Sequence, residues 1–409
     1  MARPQQHVLR RKLNQLEEAV LLGGGATSEA DVHAALDPLV VESGEGEATS
    51  ERVATLAEVA AGRRARATYI EAHDVCGVKR TTTTGGRVIY LLPVETFPDH
   101  VNNVYLVRDR DHKFLFDAGS LFATASDDFA RAARVLAAIF AEPDALERID
   151  DVVVSHAHAD HFAGVGRWRE QGARIHVHEL DARVIANFGE RIVVTARAIR
   201  QFLQAAGVAD DEVTELDRMY VASKSMFRSL PVDRTLTDGA VVCGAVAHHV
   251  PGHCPGQICL QIDNVLLTAD HVLPRITPHQ SPESITQSNG LDHYFESLEK
   301  IRRVGGIDLG LPGHEQPILR LAQRIAEIES FHRARLDKVR ALCAGAEPRT
   351  LQQIAAAMFG VQQGYGRLLA YQEAGAHVEW LARRGLLEIA NLEDFRTQLN
   401  PVVYYRAQR

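Results

Sequence analysis

In Val152-Val153-Val154-Ser155-His156-Ala157-His158-Ala159-Asp160-His161-Phe162, a short apolar strand runs into four candidate metal donors within six residues, then into the start of a helix. On an extended backbone, side chains alternate with a period of two, so His156 and His158 point the same way and can share one ion. As the chain turns into the helix, Asp160 and His161 swing toward a second position, close enough for two ions to share one water.

Three later segments hold what a two-ion centre still needs. His253 lies in the turn Pro251-Gly252-His253-Cys254-Pro255-Gly256-Gln257. Asp270 follows the apolar strand Val265–Ala269, and His314 stands in Leu311-Pro312-Gly313-His314-Glu315. Each of the three sits at a strand end, and donors gathered at one rim of a sheet suit a site carried on loops over a rigid scaffold.

With these residues in place, the sequence resembles the metallo-β-lactamase-fold hydrolases: His156, His158, Asp160 and His161 match the HxHxDH signature, and the remaining ligand positions fall on His253, Asp270 and His314. The resemblance covers about 86–315. It implies an α/β fold, an αββα metallo-β-lactamase sandwich. It also implies that His156, His158 and His253 hold a first metal, that Asp160, His161 and His314 hold a second, and that Asp270 bridges the two. The ligand set is like that of glyoxalase-II-like members and lacks the cysteine that broad-spectrum lactamases often place on their second metal, which disfavours antibiotic hydrolysis. Asp117, in Phe114-Leu115-Phe116-Asp117-Ala118-Gly119, matches the Asp–Gly turn that braces ligand histidines in that family.

Imidazoles and carboxylates suit two divalent ions, zinc first, with iron and manganese compatible with the same donors. Such ions lower the pKa of a shared water from 15.7 toward ~7, so no serine or cysteine nucleophile is needed. Asp160 is both a ligand and the candidate for orienting that water or moving its proton. His271 follows Asp270 directly and is expected to face the other way as a structural residue. In Leu273-Pro274-Arg275-Ile276-Thr277-Pro278-His279, Arg275 and His279 are candidates for contacting an anionic substrate group.

Outward from this centre, residues 1–85 read as a helical N-terminal extension, with Thr81–Gly86 as a linker or turn. Strands follow at Val88–Leu92, Val104–Val107 and Lys113–Phe116, and a helix at Asp127–Phe140. A catalytic domain is expected over 86–315, with 181–227 as a helical insert or cap. Phe188, Phe202, Met219, Tyr220, Met226 and Phe227 in that insert read either as the lining of an acyl channel or as its own core. Beyond Pro317 the apolar positions Leu321, Ile325, Ile328, Leu336, Val339 and Leu342 form a helical stripe. Thr350 caps a second helix, Leu368–Arg383 forms a third, and Leu386–Ala390 is strand-like. That order gives a winged-helix-like domain over 316–409.

The composition, 46% hydrophobic and 24% charged over 409 residues, is globular. No apolar run approaches the ~20 residues of a spanning helix, and Glu17 and Glu18 break up the basic start, so a cytoplasmic protein without membrane contact is expected. Five scattered cysteines make no disulfide framework. The net charge of −8 repels a phosphate backbone at long range. Residues 316–409 carry 13 Lys+Arg against 9 Asp+Glu, which permits local contact with nucleic acid, but Leu368–Arg384 offers few side chains suited to base edges.

The expected activity is therefore a metal-dependent hydrolase of an ester or thioester of acyl-CoA or acyl-carrier type. The alternatives are a single-stranded RNA or phosphodiester hydrolase that uses the winged helix as its contact, and a lactonase. A redox role is disfavoured by the resemblance, because di-iron members usually place an acidic residue where His158 stands. The expected partner is a small-molecule acyl substrate rather than nucleic acid, and a homodimer is compatible with the sequence.

Overall fold

The computed structural model describes residues 71–72, 77–97 and 100–408. The helices expected within residues 1–70 lie outside them. The end of the expected extension is not helical: Glu71–Ala72 (β1) and Lys79–Thr82 (β2) are strands, and β2 pairs antiparallel with Val88–Phe97 (β3) through Thr81↔Ile89 and Thr82↔Val88. Of the linker or turn expected for the Thr/Gly run, the structure has the turn: it closes this hairpin, with Gly86 N–H donating to the Thr83 carbonyl at 3.0 Å. The β-branched threonines favour the pleated surface, and Thr81 is buried in it.

The described chain divides into two compact units. One runs to Val153 and also takes Asp160–Ile175; the other takes Val154–Ala159 and everything from His176 onward. In the first unit β1, β2, β3, His100–Asp109 (β4) and His112–Phe116 (β5) pair antiparallel in chain order, and β5 pairs parallel with Asp151–Val154 (β6). The crossover from β5 to β6 is Ala123–Phe140 (α1), which buries Phe129, Ala132, Leu136 and Phe140 at spacings of three and four. After β6 come Ala159–Phe162 (α2), a single turn holding Asp160 and His161, and Val165–Glu170 (α3), whose Trp168 meets Phe129 edge-on at 5.1 Å.

In the second unit the last residues of Arg174–His178 (β7) pair parallel with Arg234–Leu236 (β8). Between them lie Glu179–Ala186 (α4), Phe188–Ala205 (α5) and Asp210–Lys224 (α6), the helical insert. Val241–Val242 (β9), Ala245–His249 (β10), Ile258–Ile262 (β11) and Val265–Ala269 (β12) form an antiparallel run, to which Leu309–Pro312 (β13) adds parallel to β12. The crossover Leu291–Arg303 (α7) was not anticipated from the sequence. It buries Leu291, Tyr294, Leu298 and Ile301 with helical spacing, between charged residues that mask the stripe.

Leu321–Cys343 (α8), Leu351–Phe359 (α9) and Tyr365–Arg383 (α10) follow, with a small sheet of Arg349–Thr350 (β14), Tyr404–Ala407 (β16) and Leu387–Ile389 (β15). Thr350 makes a capping box with Gln353 that starts α9. The core of these helices is continuous with that of the insert and α7. Ile199, Leu203 and Leu216 of the insert, Leu298 of α7, and Ile325, Leu336, Ile354, Leu368 and Leu381 belong to one buried cluster, so residue 316 marks no break in packing. Phe202, Met219 and Tyr220 pack against that cluster, and Phe188 meets Phe227 at 6.2 Å; these insert residues are core, while Met226 is exposed.

Candidate metal centre

In the second unit, the chain leaves β6 without starting a helix at once, and the Ser155 carbonyl accepts from Ile258 N–H at 2.9 Å, which ties the motif to β11. His156 Nε2 and His158 Nδ1 stand 3.0 Å apart, and the His253 ring lies 5.2 Å from that of His156 and 4.6 Å from that of His158, centroid to centroid. Their ring nitrogens fall within 4.8 Å of one another, so one ion can meet all three. The His279 carbonyl can only accept, so His253 Nδ1 at 2.7 Å carries the proton and Nε2 keeps its lone pair. Ser155 Oγ lies 2.9 Å from His156 Nδ1, a partner for the ring nitrogen that does not face His158. A ligating histidine held through its other nitrogen is the arrangement metals require.

Asp270 follows β12, and one of its oxygens, Oδ2, lies 3.3 Å from His314 Nε2 and 3.8 Å from His253 Nε2. Gly313 N–H donates to the Ala269 carbonyl at 2.8 Å, which fixes the His314 loop beside Asp270. Gln257, fully buried, accepts from the Asp270 and His271 N–H groups at 3.2 and 2.7 Å once its amide oxygen faces them. His271 turns away, as expected. Its ring meets Tyr294 at 5.5 Å, and burial pushes its imidazole down to about 3, which keeps it neutral.

Two of these loops meet on Asp181, a residue that sequence reading passed over as the start of the insert. Its carboxylate accepts from Ala157 N–H, between the two motif histidines, and from Gly256 N–H, three residues after His253, both at 2.8 Å. Burial raises its pKa against the lowering by those two amides. A Cβ on Gly256 would stand 2.6 Å from the Asp181 carboxyl carbon, so only glycine lets the turn come this close. Gly252, at φ +132°, is likewise forced: its Cβ would lie 2.6 Å from Tyr294 Cα on α7. Asp181 carries no motif of its own, and only tertiary contact reveals it.

In the first unit, Asp117 directly follows β5 at φ +68°, and its Oδ2 lies 2.8 Å from His161 Nδ1. A carboxylate accepts, so His161 carries its proton on Nδ1 and turns Nε2 toward Asp160 Oδ2 at 3.3 Å. Ala118 N–H donates to the His161 carbonyl at 2.8 Å, tying the turn to α2. Asp160 Oδ2 also accepts from Asn102 Nδ2 at 3.0 Å and lies 3.2 Å from His100 Nε2. Asn102 and His100 were not singled out from the sequence, because the Asp-His-Val-Asn-Asn run resembles an ordinary turn.

Arg275 is exposed, and its N–H donates to Glu315 Oε2 at 3.0 Å. His279 Nε2 lies 3.1 Å from the Leu369 carbonyl of α10, and its own carbonyl is the His253 acceptor.

A family model described as the metallo-beta-lactamase superfamily matches residues 97–345. Among solved structures, a metallo-beta-lactamase family protein from Thermus thermophilus is 23% identical, with a TM-score of 0.61 over 78% of this chain and 98% of that one. A beta-lactamase domain protein from Burkholderia ambifaria is 23% identical, with a TM-score of 0.60 over 80% of this chain and 95% of that one. No curated protein matches the chain in sequence. The mixed α/β fold is thus shared with both structures. Among the described residues no helix is long and apolar enough to cross a membrane.

Proposed function

Because the chain belongs to the metallo-beta-lactamase superfamily, we propose that it is a dinuclear metal-dependent hydrolase acting on an ester or thioester of acyl-CoA or acyl-carrier type. The observation that carries this reading is the convergence of His156, His158 and His253, with the proton of His253 fixed on the nitrogen that faces away. These three would hold one ion; Asp160, His161 and His314 would hold the other, with Asp270 bridging. Such a pair, zinc in first place, would supply an activated water at neutral pH and Lewis acidity toward the substrate carbonyl. The chain's own contribution is orientation. Asp117 and the His279 carbonyl fix the imidazole tautomers, and Asp160, held by Asn102, orients the attacking water and passes its proton toward the leaving group. Arg275 is the proposed contact for an anionic part of the substrate.

A small acyl substrate is favoured over nucleic acid by the state of α10, the helix that would enter a groove. Tyr371 to Val378 are buried on every face, and Glu379, Arg383 and Arg384 pair with Ser284, Glu283 and Asp292. A helix whose middle is enclosed all round leaves only its ends to meet a duplex or a single strand. The test is a panel of acyl-CoA thioesters, lactones, phosphodiesters and single-stranded RNA given to the purified protein with its metal content measured. Thioester or ester turnover is expected, with RNA retention flat against salt. RNA cleavage without ester turnover would reverse the reading, and turnover confined to lactones would replace the substrate class.

A further inference from the structure

The peptide unit joining His279 to Gln280 is gripped at both ends. Its carbonyl accepts from His253 Nδ1–H at 2.7 Å, and its N–H donates to Glu373 Oε2 at 2.7 Å. The described residues contain no cis peptide bond, so this C=O and N–H point in opposite directions. Glu373, His279–Gln280 and His253 therefore form one line from α10 to a metal-binding imidazole. We propose that Glu373 is a positioning residue for His253, acting through this single peptide unit. A negative charge on the N–H side polarises the amide and makes its carbonyl a stronger acceptor, because hydrogen bonds in a chain strengthen one another. A stronger acceptor at Nδ1–H makes the imidazole a more basic ligand and holds its ring in place.

Glu373 is suited to this role. It is buried, and Arg335 Nη1 lies 2.6 Å from its Oε1, which offsets the cost of a buried charge and leaves Oε2 for the amide. Burial alone would raise its pKa, but the surrounding cationic field, with the Arg335 guanidinium against Oε1, holds the carboxyl below its usual range, so it stays ionised. A second tie runs beside the first: His279 Nε2 lies 3.1 Å from the Leu369 carbonyl, one helical turn before Glu373 on α10. The carboxy-terminal helices thus do more than fill out the core; they set the basicity of one ligand.

This inference rests on His253 being a metal ligand, and the two ideas fail separately. Glu373→Gln keeps the shape and an acceptor oxygen but removes the charge. Zinc affinity is read by chelator competition on the whole protein, and the exchangeable His253 Nδ1–H resonance is read in the cobalt-substituted protein. The expected result is zinc binding weaker by about 10-fold and a shifted Nδ1–H resonance. A role confined to holding α10 in place would lower the melting temperature of the zinc-free protein and leave both readouts where they are, and that outcome overturns the proposal. A measurement on the unmodified protein needs no variant to fold: coupling is reciprocal, so zinc should slow hydrogen exchange at the Gln280 amide. Unchanged exchange there also overturns the proposal. If the unmodified protein takes up no zinc at all, the metal-centre reading falls first and takes this one with it.

Discussion

The second unit contains two histidine clusters that look alike on distance alone. His156 Nε2 and His158 Nδ1 stand 3.0 Å apart; His332 Nδ1 and His377 Nε2 stand 3.2 Å apart, with Glu373 beside them. What separates them is the role left for each nitrogen. In the first, His253 Nδ1 gives its proton to a backbone carbonyl, and its lone pair faces the shared position. In the second, His377 Nδ1–H donates to the Glu373 carbonyl, so Nε2 can only accept, and His332 Nδ1–H supplies the proton. Burial lowers the pKa of both rings, that of His332 to about 3, so the pair is one neutral donor on one neutral acceptor. Arg335 already serves Glu373 as its cation. The lesson is that donor identity and spacing do not make a metal site; the hydrogen-bond accounting around the donors does.

The comparison breaks most sharply on His156→Ala or Asp270→Ala. Either should lower turnover by about 10³-fold or more and reduce bound metal, with the fold retained by circular dichroism; full metal content and rate in either variant would remove the centre from this cluster. Asp181→Ala leaves the buried Ala157 and Gly256 N–H groups without an acceptor, so urea unfolding should show a loss of about 2–4 kcal/mol, with weakened metal retention. His332→Ala sharpens the contrast from the other side. It should cost about 2 kcal/mol of stability by stranding His377, while elemental analysis finds the same metal as before. A drop in metal stoichiometry would make the helical cluster a site after all.

The smallest effect concerns Glu283, which joins the loop before α7 to Arg383 of α10. Burial would raise its carboxyl pKa, but hydrogen bonds from His293, Arg383 and the Ser288 N–H outweigh it and hold the value at about 2, against an ordinary 4.5. A depressed carboxyl stabilises the fold above its unfolded pKa and loses that contribution as pH falls from 4.5 toward 2. Its partners His293 and Arg383 are themselves partly open to solvent, which screens the pair, so the effect is small. Glu283→Gln should flatten the stability of the protein over that window relative to the parent; an unchanged slope would show that the tie contributes nothing.

Much of the centre was legible from the chain because its donors advertise themselves. Histidines two apart after an apolar strand, and an aspartate or histidine closing each later strand, form a pattern that local geometry alone makes sensible. The supporting residues were not legible. Asp181 and Glu373 look like ordinary helix carboxylates, Asn102 like part of a turn, and α7 like a polar stretch, because each gets its meaning from a partner between 24 and 93 positions away or, for α7, from a core built elsewhere. From the sequence, His279 reads as a loop histidine, and its ties to Leu369 on α10 and to His253 could be seen only once the chain was folded.

By itself, the sequence determined which donors exist and which local backbone carries them, since strand alternation, turn glycines and helix caps act over a few residues. Tertiary structure alone decided which protons sit on which nitrogens and which carboxylates steady the ligands. Those choices depend on hydrogen-bond partners that only folding brings within about 3 Å, and burial makes each unmet partner too costly to leave to chance.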